Sequence, residues 1–231
     1  MSKRIVIVPA IGLLCWVAAA QDVPVLKSQK DKLSYALGLD LGNQLKRQAI
    51  EVDPSLFSQG FKDALSGGKT MMTEAEVRTV MAELQSLMQA KQVEATKMLA
   101  EKNTKEGDAF LAQNKTKEGV VTMPSGLQYK ILQAGAGNRP ALDDTVVCHY
   151  RGTLIDGTEF DSSYKRNQPA TFPVKGVIKG WTEALQLMPV GSKWELFIPA
   201  NLAYGENARS NVIGPNSTLL FEVELISIQG K

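Results

Sequence analysis

The chain has 231 residues, 44% hydrophobic and 22% charged, with 26 basic against 24 acidic side chains and a net charge of +2. That composition fits a globular protein with room for one large domain or two modest ones, and it offers no clustered basic face for nucleic acid. With His149 as the single histidine, neither a serine triad nor a histidine-rich metal site has a spare candidate.

The first twenty residues stand apart. Lys3 and Arg4 make a short positive start, residues 5–18 are apolar, and Ala18, Ala19 and Ala20 supply small residues for cleavage. This pattern predicts a secretory signal peptide over residues 1–20, cut after Ala20. Its apolar core is short of the roughly 20 residues that a transmembrane helix needs. Two alternatives stay open: an uncleaved anchor, and lipid attachment at Cys15. Removal of Cys15 with the signal leaves Cys148 as the single thiol, so no internal disulfide is available. Cys148 reads as a small buried hydrophobe.

Three helices follow. Over residues 28–50, Leu33, Leu37, Leu41 and Leu45 recur every fourth position, as do Gly38 and Gly42. Such glycines weaken a helix by about 1 kcal/mol each. Close approach of a second helix would explain them, and so would simple tolerance. Asp53-Pro54 places an N-cap before a first-turn proline. Leu56, Phe57, Phe61 and Leu65 form the apolar face of that helix, and Gly67-Gly68 ends it. Thr73 and Glu76 make a capping box for a third helix.

No Gly or Pro interrupts this third segment before Gly107. Its first part carries an apolar stripe of Val77, Val80, Met81, Leu84, Leu87 and Met88, expected to pack into a small helical module. The stripe thins after Gln89, which predicts a solvated stalk with Gly107 as a kink or a tolerated residue, stopping at Gly119. Residues 21–72 thus read as a helical dimerisation region, because three short helices make a thin core that a second copy would complete. Residues 73–118 read as a long connecting helix.

From residue 119 to the end the pattern turns to short alternating strands, separated by turn signals at Pro124-Ser125-Gly126, Gly135-Ala136-Gly137, Asp156-Gly157 and Val190-Gly191. One short helix fits at residues 181–187. An antiparallel sheet packed on one helix is α+β. On strand 146–150 the period of two puts Val146, Cys148 and Tyr150 on one face and Val147 and His149 on the other. Cys148 and His149 therefore cannot pair as thiolate and imidazole.

The stretch VVCHYRGTLIDGTEFDSS at 146–163, then VIKGW at 177–181, AYG at 203–205 and LLFEVEL at 219–225 together resemble the FKBP-type peptidyl-prolyl cis-trans isomerases. SYALGLDLGNQL and DPSLFSQGFKDAL in the N-terminal half resemble, more loosely, the dimerisation region of the macrophage infectivity potentiator subgroup. The resemblance implies an N-terminal all-helical dimerisation module, a long connecting helix and a twisted antiparallel sheet wrapped on a short helix. It implies a pocket with Trp181 as its floor, Tyr150, Phe160, Phe172 and Phe221 as aromatic walls, and Val177 and Ile178 at its mouth. Tyr204 and Asp161 would supply the polar contacts, and Ile213 sits in a flap at 201–217. Ala170 is the alternative to Phe172. Tyr150, Phe160, Asp161 and Tyr204 are the expected catalytic group. Neither metal nor cofactor is implied.

Isomerisation of an X-Pro bond takes roughly tens to hundreds of seconds unaided, over a barrier of about 18–20 kcal/mol. In the twisted transition state the amide loses resonance and becomes less dipolar. An apolar pocket favours that state over the ground state, which is catalysis by differential binding. The expected clients are proline-containing unfolded or exported polypeptides, with macrolide-type inhibitors of the family as pocket ligands. The expected location is the periplasm, with outer-membrane association left open. The protein would fold exported chains as a homodimer and also hold them as a chaperone. The other reading is a non-catalytic chaperone that uses the pocket for docking.

Overall fold

A computed structural model describes residues 26–230; the expected signal peptide and Cys15 lie outside them. The described residues divide into two compact units, with the boundary between Glu74 and Ala75.

The first unit holds α1 (Gln29–Arg47) and α2 (Pro54–Ser66). Ser28 and Asp31 close a capping box at the start of α1: Asp31 N–H donates to Ser28 Oγ at 3.1 Å, and Ser28 N–H donates to Asp31 Oδ2 at 2.9 Å. Asp53 Oδ1 takes the N–H groups of Ser55 and Leu56 at the head of α2. Gly67 ends the helix in the left-handed conformation, φ 65°, which costs glycine nothing. Neither helix buries a residue within the single chain. Leu37, Leu56, Phe61 and Leu65 are 60–75% exposed. A Cβ added to Gly38 or Gly42 would meet nothing within 4 Å, so no neighbour in this chain demands those glycines.

The second unit comprises nearly all of α3 (Glu74–Asn114) and the sheet domain. The 41 residues of α3 span about 60 Å. Within the single chain its early stripe stays open: Val77, Val80, Met81 and Leu87 are 45–57% exposed. The expected stalk is exposed over residues 89–99, but one face of its last turns is covered. Gly107 and Asn114 are buried, and the Phe110 ring lies 5.9 Å from that of Phe197. Asn114 Nδ2 donates to Gln128 Oε1 at 3.0 Å, and Gln128 Nε2 donates to Leu111 O at 2.9 Å. Gly107 is neither kink nor idle, because a Cβ there would fall inside van der Waals contact of Thr218 Oγ1. Helix periodicity did not reveal this face because its partners lie outside the helix, from Gln128 to Thr218. The helix ends at Asn114, and Gly119 belongs to the turn beyond it.

Seven strands form one antiparallel sheet in the order β1-β2-β6-β7-β3-β4, with β5 also on β3. They are β1 (Val120–Thr122), β2 (Gln128–Gln133), β3 (Thr145–Leu154), β4 (Glu159–Ser162), β5 (Ala170–Pro173), β6 (Lys193–Ile198) and β7 (Leu219–Ile228). The paired ten-residue strands β3 and β7 form the centre. Val146, Cys148 and Tyr150 alternate inward as the period of two requires. Between β5 and β6 runs α4 (Lys179–Leu187), which buries Trp181, Ala184 and Leu185 in the core beside Leu196, Leu219 and Val223. Burial pushes the Cys148 thiol up to about 12, so it is an inert core group. His149, on the outer face, stacks on Tyr164 at 4.7 Å, and its Nδ1 lies 2.9 Å from Ser163 Oγ.

Candidate active site

The inner face of β3 and β7 and the start of α4 enclose a cavity of about 830 Å³. All ten residues singled out in the sequence line it: Tyr150, Phe160, Asp161, Phe172, Val177, Ile178, Trp181, Tyr204, Ile213 and Phe221. The main chain of Gly176 lines it as well. Phe172, rather than Ala170, is the β5 residue in this wall.

Trp181, on the first turn of α4, is only 4% exposed. Three rings meet it edge to face: Tyr150 at 5.5 Å and 86°, Phe172 at 5.5 Å and 78°, and Phe221 at 5.2 Å and 83°. Phe160 packs against Phe221 at 5.4 Å and 81°. This is the arrangement that aromatic quadrupoles favour, so the rings hold one another in place. Gly152 makes room for it. A Cβ there would stand 2.5 Å from the Phe160 ring and 2.8 Å from the Phe221 ring.

Polar groups occupy the rim. The Tyr150 hydroxyl donates a short hydrogen bond to Asp161 Oδ2. Arg166 Nη1 donates to Asp161 Oδ1 at 2.5 Å, and Arg166 Nη2 donates to the Tyr150 hydroxyl at 2.8 Å. Ser162 N–H completes the carboxylate's partners at 2.8 Å. Among the described residues, the Tyr204 hydroxyl has no hydrogen-bond partner. Arg209 lies over the Tyr204 ring at 5.6 Å. Ile178 is the N-cap of α4, so its N–H has no acceptor inside the helix. The rim therefore presents a phenol and a main-chain amide donor above Trp181.

Sequence reasoning missed Arg166, Arg209 and Ser210. Arg166 follows Asp161 by five residues, across a turn closed by Arg166 N–H to Ser163 O and Asn167 N–H to Tyr164 O. Arg209 and Ser210 lie in a loop without periodicity.

Burial raises the Asp161 carboxyl. The hydrogen bonds from Tyr150 and Arg166, with the guanidinium charge, outweigh burial and set it below the ordinary 3.8. Burial also raises the Tyr150 phenol, and its bond to Asp161 adds to the rise. A depressed carboxylate keeps its stabilisation above the unfolded-state pKa and loses it as pH falls through the folded-state value. Any activity that depends on the ionised Asp161 is expected to be flat from about pH 5 to 8. Arg166→Ala should move the acid limb of the pH–rate profile upward, because it removes two of the influences that lower the carboxyl. An acid limb unmoved in that variant would separate Asp161 ionisation from the Arg166 contact.

An antiparallel sheet packed on a short helix, with an aromatic cavity between them, is the architecture that the resemblance to the peptidyl-prolyl cis-trans isomerases implies. Residues 137–226 match the family model of the FKBP-type peptidyl-prolyl cis-trans isomerase, and residues 30–131 match that of the domain amino terminal to it. The chain is 48% identical to the outer membrane protein MIP of Legionella longbeachae, over 99% of each sequence. It is 47% identical to the peptidyl-prolyl cis-trans isomerase Mip of Coxiella burnetii, over the full length of both. The crystal structure of FkpA from Escherichia coli superposes with a TM-score of 0.73 at 37% identity, covering 88% of this chain and 98% of that one. The chain belongs to the FKBP-type peptidyl-prolyl cis-trans isomerases, in the subgroup that carries the Mip- and FkpA-like amino-terminal domain.

Proposed function

We propose that the cavity over Trp181 is where this isomerase twists the X-Pro bond, acting on proline-containing segments of exported polypeptides. The observation that carries the reading is the convergence of three aromatic rings on one buried indole, with Phe160 packed on the third and Asp161 and Tyr204 at the rim. The proline ring rests on Trp181. Ile178 N–H and the Tyr204 hydroxyl hold substrate carbonyls. Asp161, kept ionised by Arg166, stands beside the carbonyl of the twisting bond, and Tyr150 fixes its orientation. No bond to the protein forms. The apolar wall favours the less dipolar twisted amide, and the donors hold the chain around it.

Prolyl exchange in a proline-containing tetrapeptide tests this. Combined Asp161→Ala, Tyr204→Phe and Trp181→Ala should reduce catalysis to the uncatalysed rate. Wild-type activity in that variant would reject the assignment. A macrolide inhibitor of the family should compete with the tetrapeptide in the intact protein and lose its grip in the variant.

The same reading places the protein in the periplasm after loss of residues 1–20, with outer-membrane association as in the relative named for it. Residues 21–72 act as the dimerisation region, residues 73–118 as the connecting helix and residues 119–231 as the isomerase domain. The exposed apolar faces of α1 and α2 support pairing with a second copy. They also favour a holding role beside catalysis. The Trp181→Ala protein should still suppress aggregation of a proline-free client, measured by light scattering. Loss of suppression in step with loss of isomerisation would leave isomerisation as the whole activity.

A further inference from the structure

We infer that the last turns of α3 belong to the framework of the prolyl site, and that Asn103 is a positioning residue for the wall that carries Ile213. This rests on the cavity being the prolyl site.

The segment 203–218 has two working edges. One lines the cavity through Tyr204, Arg209, Ser210 and Ile213. The other lies against α3. Asn103 Nδ2 donates to Pro215 O at 2.7 Å, across 112 positions of sequence. A Cβ on Gly214 would stand 3.2 Å from both Asn103 Nδ2 and Leu99 Cδ2. Gly107, one turn on, is held against buried Thr218 with no space for a methyl group. Three successive turns of the helix thus touch one five-residue piece of loop.

The loop between these edges is braced. Arg209 N–H donates to Ile213 O at 2.9 Å, and Ile213 N–H donates to Ser210 Oγ at 3.1 Å. Asn216 N–H donates to Gly205 O at 2.7 Å, and Ser217 Oγ donates to Gly214 O at 2.9 Å. Ile213 is 6% exposed and stands two residues from Pro215. A shift at Pro215 therefore passes to Ile213, because hydrogen bonds on both sides leave little slack to absorb it. Packed elements respond to displacement as connected bodies. Asn103 touches no substrate. It acts by holding the loop at the height where Ile213 closes the cavity over a bound proline.

The test uses the full-length protein, with KM and kcat measured separately in the tetrapeptide assay. Asn103→Asp keeps the shape but removes the donor. Asn103→Ala removes the contact, and Gly107→Ala pushes Thr218 away from the helix. Each is expected to raise KM about 3- to 10-fold, the range for losing one hydrogen bond, with kcat within about twofold. Asn103→Gln, which keeps the amide donor, should recover most of the affinity. Thr104→Ala alters only an exposed bond to Ala100 O on the same helix and should match wild type. Circular dichroism corrects each value for the folded fraction. Lower melting temperatures with KM unchanged in all three variants would make the helix a brace for stability alone and overturn the inference. Wild-type activity in Trp181→Ala would instead remove the prolyl-site reading on which it rests.

Discussion

Trp181→Ala should lower kcat/KM for prolyl exchange by one to two orders of magnitude and destabilise the isomerase domain by about 3–5 kcal/mol, as truncation of large buried aromatics does. Both effects come from the position of one ring. Its indole supports Tyr150, Phe172 and Phe221 at once, so removal opens a void and frees three walls that cannot all collapse onto it. Catalysis falls because the pocket no longer presents a flat apolar floor to the proline. Trp181→Phe separates the two effects. It restores part of the packing and leaves a smaller floor, so stability should return further than activity. Chemical unfolding and tetrapeptide exchange on the same preparation measure the pair. Full activity in Trp181→Ala, at whatever stability, would place the reaction elsewhere.

Leu37→Asp combined with Phe61→Asp should convert a dimer into a monomer at micromolar concentration, read by multi-angle light scattering. Within one chain Leu37 is 62% exposed and Phe61 60%. Burying a side chain of this kind contributes about 1.5–3 kcal/mol. An unpaired carboxylate in the same place costs several kcal/mol. A two-fold interface counts every substitution twice, and each 1.4 kcal/mol is a factor of about ten in affinity. Together these exceed what a dimer stable at micromolar concentration can lose. The monomer should keep its tetrapeptide activity, because no pocket residue lies in α1 or α2, and should lose aggregation suppression. A wild-type protein already monomeric at that concentration would remove the dimer from the proposal. An undiminished dimer in the variant would place the contact on another face.

Much of the site was legible because its residues sit in short motifs that resemble those of a known family. On β3, the period of two alone places Cys148 and Tyr150 inside and His149 outside. The helix starts were equally local. Asp53 before Pro54 and Gly67 after Ser66 mark α2 with no help from tertiary contacts. Arg166 was less legible because the motif ends at Ser163, while its guanidinium returns to Asp161 and Tyr150 through a turn.

By itself the sequence determined the helical first half and the α+β second half, written in periodicity, caps and short-range spacing; the aromatic set that lines the cavity was legible through the resemblance of its motifs to a known family. Tertiary structure alone decided the role of the last turns of α3. A thinning apolar stripe after Gln89 reads locally as a solvated rod. Yet Asn103 bonds to Pro215, Gly107 lies against Thr218 and Phe110 meets Phe197. These pairs are about ninety to more than a hundred residues apart. No local period encodes them, because what selects Asn, Gly and Phe at those positions is the shape of a surface that exists only once the sheet has formed.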